Sequence, residues 1–253
     1  MRGVDTAEIS AIAHRWHPVA APVSDENLER LVRRLEPPRG GRILDLGCGF
    51  GAWLLAALDA VPDAEGVGVD ISAPALEQAR NDARARELTG RVTFEEADAA
   101  EWAGETFDVV LCVGATHALG GLATALPAVR RHLRPGGRLL LGEGIWEIPL
   151  TPEALAGVHA EPGDLSELPD LIAELRRFGF EPGFGHVSSS AEWDDYEWSW
   201  TGSLAAWALE DPGERAQALE IARTHRHEWL AGYRGQLGFV TLVLHDLGQD
   251  TAG

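Results

Sequence analysis

Cysteine is scarce in this chain: two residues in 253, Cys48 inside a glycine-rich stretch and Cys112 at the end of an apolar run. Two thiols build no disulfide framework and make a poor metal site, so no bound metal is expected. Long apolar runs are missing too, since none reaches the length that crosses a bilayer. Residues 1–8 carry acids and lack an apolar core, so they do not read as a signal peptide, and a cytoplasmic location is the expectation. Positive charge is also in short supply. The chain sets 21 basic residues against 40 acids, a formal net charge of -19. A surface of that sign repels DNA and RNA unless a local patch offsets it. The arginines that cluster (33 and 34, 84 and 86, 130 and 131, 176 and 177) lie in or beside helical stretches and read as solvated faces. A small-molecule substrate is favoured, with neither nucleic acid nor membrane as partner. Monomer and homodimer both stay open.

What the chain does hold is an alternation of apolar strands and amphipathic helices, at an ordinary 45% hydrophobic and 24% charged composition. Helices are predicted over 6–17 and 24–35, the second with Leu28, Leu31, Val32 and Leu35 on one face. Strands follow at 42–46, 65–69, 91–95, 107–113 and 138–142. Between them fall helices at 51–60, from Ser72 to near Gly90, and at 121–133, the last stopped by Arg134-Pro-Gly-Gly137. Helices at 151–160 and 166–178, separated by Glu161-Pro-Gly-Asp164, come next. After them come a short strand at 182–188, two helices within 191–231 broken at Asp211-Pro-Gly213, and a last strand at 237–244. This is an α/β fold of the Rossmann-like kind. One domain, 1–253, is expected, with N-terminal cap helices (1–40) and a cofactor-binding core (41–144). An insertion with cap helices and a sixth strand (145–235) and a final strand (236–246) complete it.

The chemistry gathers at Ile43-Leu-Asp-Leu-Gly-Cys-Gly-Phe-Gly51, with Val67-Gly-Val-Asp70 about twenty residues on. Gly47 and Gly49 let the chain turn tightly and let a ligand approach the backbone. In a dinucleotide enzyme the turn would meet a pyrophosphate, and Asp45 beside it would repel. Asp45 suits a ligand with an amino or sulfonium group, or else it caps the next turn. Asp70, at a strand end, has two oxygens for the two ribose hydroxyls, and Ile71 is placed to pack on adenine. Asp98 is positioned for the adenine amino group, with Ala97 and Ala99 lining the base, though an exposed loop acid reads equally well. Cys112-Val113-Gly114 ends a strand, where Gly114 keeps the cofactor's edge uncrowded and Cys112 reads as a core thiol.

These residues resemble a class I S-adenosylmethionine-dependent methyltransferase of the small-molecule branch, similar to the methyltransferase domains of ubiquinone and menaquinone biosynthesis. Ala97-Asp-Ala99, Phe107-Asp-Val-Val-Leu111 and Leu133-Arg-Pro-Gly-Gly-Arg-Leu139 complete the match, which spans about 41–142. The resemblance implies a seven-stranded sheet with its last strand antiparallel, capped by helices. It implies S-adenosyl-L-methionine as cofactor and S-adenosyl-L-homocysteine as product. It places Asp45, Gly47, Cys48 and Gly49 at the methionine moiety and Asp70 and Ile71 at the nucleoside. Asp98 and Ala99 fall at adenine, and Cys112, Val113 and Gly114 facing the sulfonium. Two departures stand out: a long helical segment before the final strand, and a bulky Phe50 at the cofactor mouth.

Methyl transfer from a sulfonium needs alignment and desolvation more than an obligatory catalytic motif. Thr116 and His117 follow the fourth strand, at the edge where ligands bind. His117 is a candidate base for a hydroxyl or amine, or an orienting residue. Glu143 is a candidate partner for a substrate amine, or a structural acid, and Trp146 a wall. Trp193, Tyr196 and Trp200 recur at helical spacing, with Trp207 a heptad further on. They form either a core stripe or an aromatic lid to which Asp194, Asp195 and Glu197 add negative potential. Trp16 and His17 complete the candidate substrate residues. The expected function is transfer of a methyl group to an N, O or C atom of a small organic molecule. An NAD-dependent oxidoreductase and a non-catalytic cofactor-binding regulator are the alternatives.

Overall fold

The computed structural model describes residues 6–148, 151–158, 163–213 and 215–248. Eight strands run through it: β1 (Arg42–Leu46), β2 (Glu65–Asp70), β3 (Val92–Glu96), β4 (Phe107–Val113), β5 (Leu133–Trp146), β6 (Ser166–Glu167), β7 (Phe180–Val187) and β8 (Leu237–Asp246). Seven of them line up as β3-β2-β1-β4-β5-β8-β7, and the two-residue β6 adds onto β5. β8 is antiparallel to both neighbours, while the pairs from β3 through β5 are parallel. This is the Rossmann-like sheet with its last strand reversed.

The central strands are apolar on both faces because helices cover both. On one face Ile43, Val109, Leu111 and Leu140 pack against α2 (Asp25–Arg33), α3 (Ala52–Ala60) and α4 (Ala73–Ala85). On the other, Leu44, Val110, Cys112 and Leu141 pack against α5 (Leu122–Arg131) and α7 (Leu168–Arg177). Two smaller cores lie in the cap. One joins α1 (Thr6–Ala13), α8 (Ser190–Glu210) and α9 (Ala216–Glu228). The other gathers Trp146, Ala154 of α6 (Pro152–Val158), Trp229 and Tyr233.

Several boundaries move from the sequence reading. The first helix stops at Ala13, not at residue 17. The fourth helix ends at Ala85, with Ser72 capping it and a proline in its first turn. The expected strand at 138–142 is a 14-residue strand, because β8 pairs with it from Arg138↔His245 to Trp146↔Leu237. Arg134-Pro-Gly-Gly137 therefore sits inside β5, where a bulge against Phe107 and Val109 absorbs it. The helix expected at 151–160 is described over Pro152–Val158; residues 159 and 160, and residues 161 and 162 of the following turn, lie outside the described residues. The last helical segment closes in a π turn, Trp229–Tyr233.

Candidate active site

β1 delivers the chain into a turn whose Gly47, Gly49 and Gly51 all have positive φ, at 75°, 50° and 73°. A side chain at Gly47 would put its Cβ 2.6 Å from the Ala115 Cβ, whereas one at Gly49 would meet nothing within 4 Å. The turn is thus packed beneath and open above. Its amides are largely committed. Gly47 and Cys48 donate to the Val69 carbonyl at 2.9 and 3.0 Å, and Gly51 donates to Cys48 at 2.8 Å. Gly49 donates to Asp70 Oδ2 at 2.8 Å, and Ser72 N–H donates to Asp70 Oδ1 at 2.8 Å. A pyrophosphate would find few donors here. Each Asp70 oxygen keeps capacity for one further donor, such as a hydroxyl of a vicinal diol. Ile71, beside it, is 75% exposed, an apolar surface ready for a planar group.

Asp98 is exposed and accepts the Ala100 N–H at 2.8 Å, while Ala99 is buried. Asp45 is 3% exposed; burial, with the Asp70 charge behind it, pushes its carboxyl up to about 8, against the pull of the Leu54 N–H. Burial likewise pushes the Cys48 and Cys112 thiols up, and both pack as apolar side chains. Val113 is half-buried against the core, and Gly114 turns the chain with φ 67°.

Past β4, the short turn Thr116–Leu119 places Thr116 on β5: its hydroxyl donates to Glu143 Oε2 at 2.6 Å. Burial raises the Glu143 carboxyl, while the Thr116 hydroxyl, the Gly144 N–H and His117 draw it back. Thr116, His117 and Glu143 line one cleft of about 570 Å³, which Leu122, Leu171 and Glu174 extend. His117 is exposed at it.

The cap closes over the glycine turn. His14 meets Phe50 at 5.7 Å between ring centres. Its Nδ1–H donates to Ser10 at 2.9 Å, leaving Nε2 3.3 Å from the Tyr196 hydroxyl. Burial lowers the His14 pKa, against the Ser10 carbonyl that raises it. His17 donates to the Val19 carbonyl at 2.8 Å and meets Tyr196 edge-on at 5.4 Å. Trp16 is 59% exposed and lies over Gly202 of α8.

The tryptophan stripe divides. Trp193 meets Tyr196 and Tyr233, each at 6.3 Å. Trp200 instead stacks on His225 at 4.1 Å and packs in the core between α1, α8 and α9, as Trp207 does. Trp146 is 4% exposed within the second aromatic cluster and is not at the His117 cleft. Of the three acids of α8 expected to add negative potential, Asp195 is exposed and the other two are held by partners. Asp194 is held by Arg234 at 2.8 and 2.7 Å. Glu197, 2% exposed, accepts from Tyr233 at 2.6 Å and from His225 at 2.8 Å. Sequence reasoning missed this Glu197–Tyr233–His225 cluster. The one available signal was Glu197 itself, an acid set directly between Tyr196 and Trp198 on a helix.

A family model described as a methyltransferase domain matches residues 43–137. YjhP of Escherichia coli (strain K12), itself uncharacterized, is 33% identical over 215 residues, covering 83% of this chain and 86% of YjhP. The 27-O-demethylrifamycin SV methyltransferase of Amycolatopsis mediterranei (strain S699) is 33% identical over 234 residues, covering 85% of this chain and 80% of that one. Among solved structures, a SAM-dependent methyltransferase from Geobacter sulfurreducens in complex with S-adenosyl-L-homocysteine superposes with a TM-score of 0.85. It is 30% identical, over 96% of this chain and 99% of that chain.

Proposed function

The chain belongs to the S-adenosylmethionine-dependent methyltransferases, and from that premise we propose how its residues carry the reaction. It transfers a methyl group from S-adenosyl-L-methionine to an N, O or C atom of a small organic molecule. When bound, the cofactor supplies an electrophilic methyl on a sulfonium that leaves as a neutral thioether. The protein's part is alignment, exclusion of water and, for a protonated acceptor, a base.

In this reading Asp70 takes the ribose diol, Ile71 and Ala99 flank the adenine and Asp98 accepts from its amino group. Asp45, Gly47, Cys48 and Gly49 hold the amino-acid end, and Cys112, Val113 and Gly114 border the methyl. His117 receives the acceptor's proton, and Glu143, steadied by Thr116, turns the acceptor toward the methyl. Trp16, His17, Trp193 and Tyr196 form the roof over the acceptor, with Trp146 and Trp200 packing behind it. The whole of 1–253 acts as one domain in the cytoplasm, on small molecules and not on nucleic acid or membrane, in keeping with its acidic surface. The observation that carries the reading is Asp70: both oxygens are fixed by backbone N–H groups beside a turn with few amides to spare. Asp70 suits the ribose diol of an adenosyl group, and it is the committed amides of the turn that count against a dinucleotide pyrophosphate.

The test is incubation with methyl-labelled S-adenosyl-L-methionine and a metabolite library. Label moving to a small molecule is the expected result. Cofactor binding without any transfer, across a broad library, would point to the regulatory alternative.

A further inference from the structure

The cleft at His117 carries more charge than the methyl-transfer reading uses. Its volume of about 570 Å³ is room for a small organic molecule. Leu122, Leu165 and Leu171 supply apolar wall. Three carboxylates share that wall: Glu143 of β5, Asp164 just before β6, and Glu174 of α7. Among the described residues no arginine lines the cleft, and the chain has no lysine, so His117 is the one basic side chain there. The two glutamates are met differently. Glu143 accepts from the Thr116 hydroxyl at 2.6 Å and from the Gly144 N–H at 3.3 Å, which fixes its direction. Its oxygens still have lone pairs for further donors. Glu174 is half-buried, and its carboxylate has no hydrogen bond or ion pair among the described residues. Arg176, on the same helix, is taken up by Glu181 at 2.9 and 2.8 Å.

The two glutamates also act on each other. Burial raises the Glu143 carboxyl most, and the Glu174 charge adds to it. Like charges around one cleft repel, and a cleft of one sign concentrates small ions of the other. The start of α5 reaches the cleft at Leu122 and Ala123. A helix start supplies roughly half a positive charge, too little to offset the carboxylates. An anionic ligand would add to the repulsion, and a neutral one would leave it in place. A cation relieves it. An ammonium group brings N–H donors as well as charge, and charge-assisted hydrogen bonds to carboxylates are the strong ones.

We infer that the methyl acceptor carries an ammonium group, and that Glu174 is the specificity-determining carboxylate that holds it, together with Glu143, in the His117 cleft. As a statement about the acceptor, this rests on the methyl-transfer reading above. It narrows the substrate class from small organic molecules to protonated amines, with the leucines of the cleft against the carbon skeleton.

The charge preference is tested apart from turnover with three probes of similar shape: benzylammonium, benzyl alcohol and benzoate. The readout is the imidazole C–H signal of His117 in the full chain, assigned by its loss in His117→Ala. Benzylammonium should shift that signal and saturate, at least tenfold tighter than benzyl alcohol and with benzoate weakest. The signals of the other histidines should hold still, which separates the cleft from general attraction to an acidic surface. Glu174→Gln should weaken benzylammonium at least fivefold and leave benzyl alcohol unchanged, and Glu174→Asp should recover part of the loss. A benzylammonium shift that never saturates, or one shared by all nine histidines, would overturn the inference. So would benzyl alcohol or benzoate binding as tightly as benzylammonium, or a Glu174→Gln protein that binds all three as the parent does. In turnover on the metabolite library, label should go mainly to amine-bearing members, and Glu174→Gln should raise KM for them at least fivefold, more than it lowers kcat. Label going only to acceptors without an amine would also overturn it. A protein that transfers no methyl at all would sink the methyl-transfer reading, and the benzylammonium titration would still decide what the cleft binds.

Discussion

Asp45 is a carboxyl shut away from water next to a second carboxyl, Asp70, and burial with that neighbour pushes it up to about 8. The folded chain therefore holds a proton there that the unfolded chain, with its ordinary carboxylate, releases near pH 4. Between those values the folded state binds more protons, so this group's contribution to stability is full below pH 4 and is lost as pH rises through 8. Asp45→Asn should remove that fall: urea unfolding from pH 5 to 9 should show the parent losing stability relative to the variant. Parallel curves would contradict the assignment. His117 carries a different prediction. As the proton acceptor, its replacement by Ala should lower kcat about 100-fold or more with cofactor affinity held. Calorimetry alongside steady-state kinetics checks this, and equal losses in both would make it a structural residue. Asp70 and Ser72 could be read from the chain because their partners lie within about two dozen residues. Glu197 could not, since Tyr233 and His225 are 36 and 28 residues away and meet it only when α9 folds back on α8.

Among the elements, the cap is tied down at one carboxylate. Glu192 closes the capping box of α8 with Ser189, and it also accepts from Ser24 N–H at 2.9 Å and Asn27 Nδ2 at 2.8 Å at the start of α2. His186 of β7 reaches it at 3.1 Å. Burial alone would raise its pKa, but the N–H groups of Ser24 and Ser189 and the Asn27 amide outweigh it and hold the carboxyl down to about 2. Glu192→Gln should cost about 1–3 kcal/mol of unfolding free energy at pH 7. The sign follows from a depressed pKa: the advantage is present above about 4.5 and is lost as pH falls through 2. Thermal unfolding at pH 7 and pH 3 checks it, with the gap narrowing at the lower pH. Periodicity made most helices and the strands β1 to β4 legible, since each signals its own burial. It did not reach the 14-residue length of β5, which is set by β8 about a hundred residues on. It also did not separate Trp200 from Trp193, because helical spacing gives a shared face and not what packs on it.

For the molecule as a whole, the parallel strands present their C-terminal ends to one rim. There the glycine turn, Asp70, the Thr116–His117 turn and Glu143 all emerge. The proposed cofactor side rides on the sheet, and its residues fall in short sequence motifs. The proposed acceptor side draws on α1, α8 and the π turn, which come together only in three dimensions. The most direct test of the cofactor assignment is a calorimetric titration with S-adenosyl-L-homocysteine of the parent and of Asp70→Ala. The parent should bind at a single site, and the variant should bind about 5- to 150-fold more weakly, the loss of a buried diol contact worth roughly 1–3 kcal/mol. No heat from the parent, or equal affinity in the two proteins, would contradict the account.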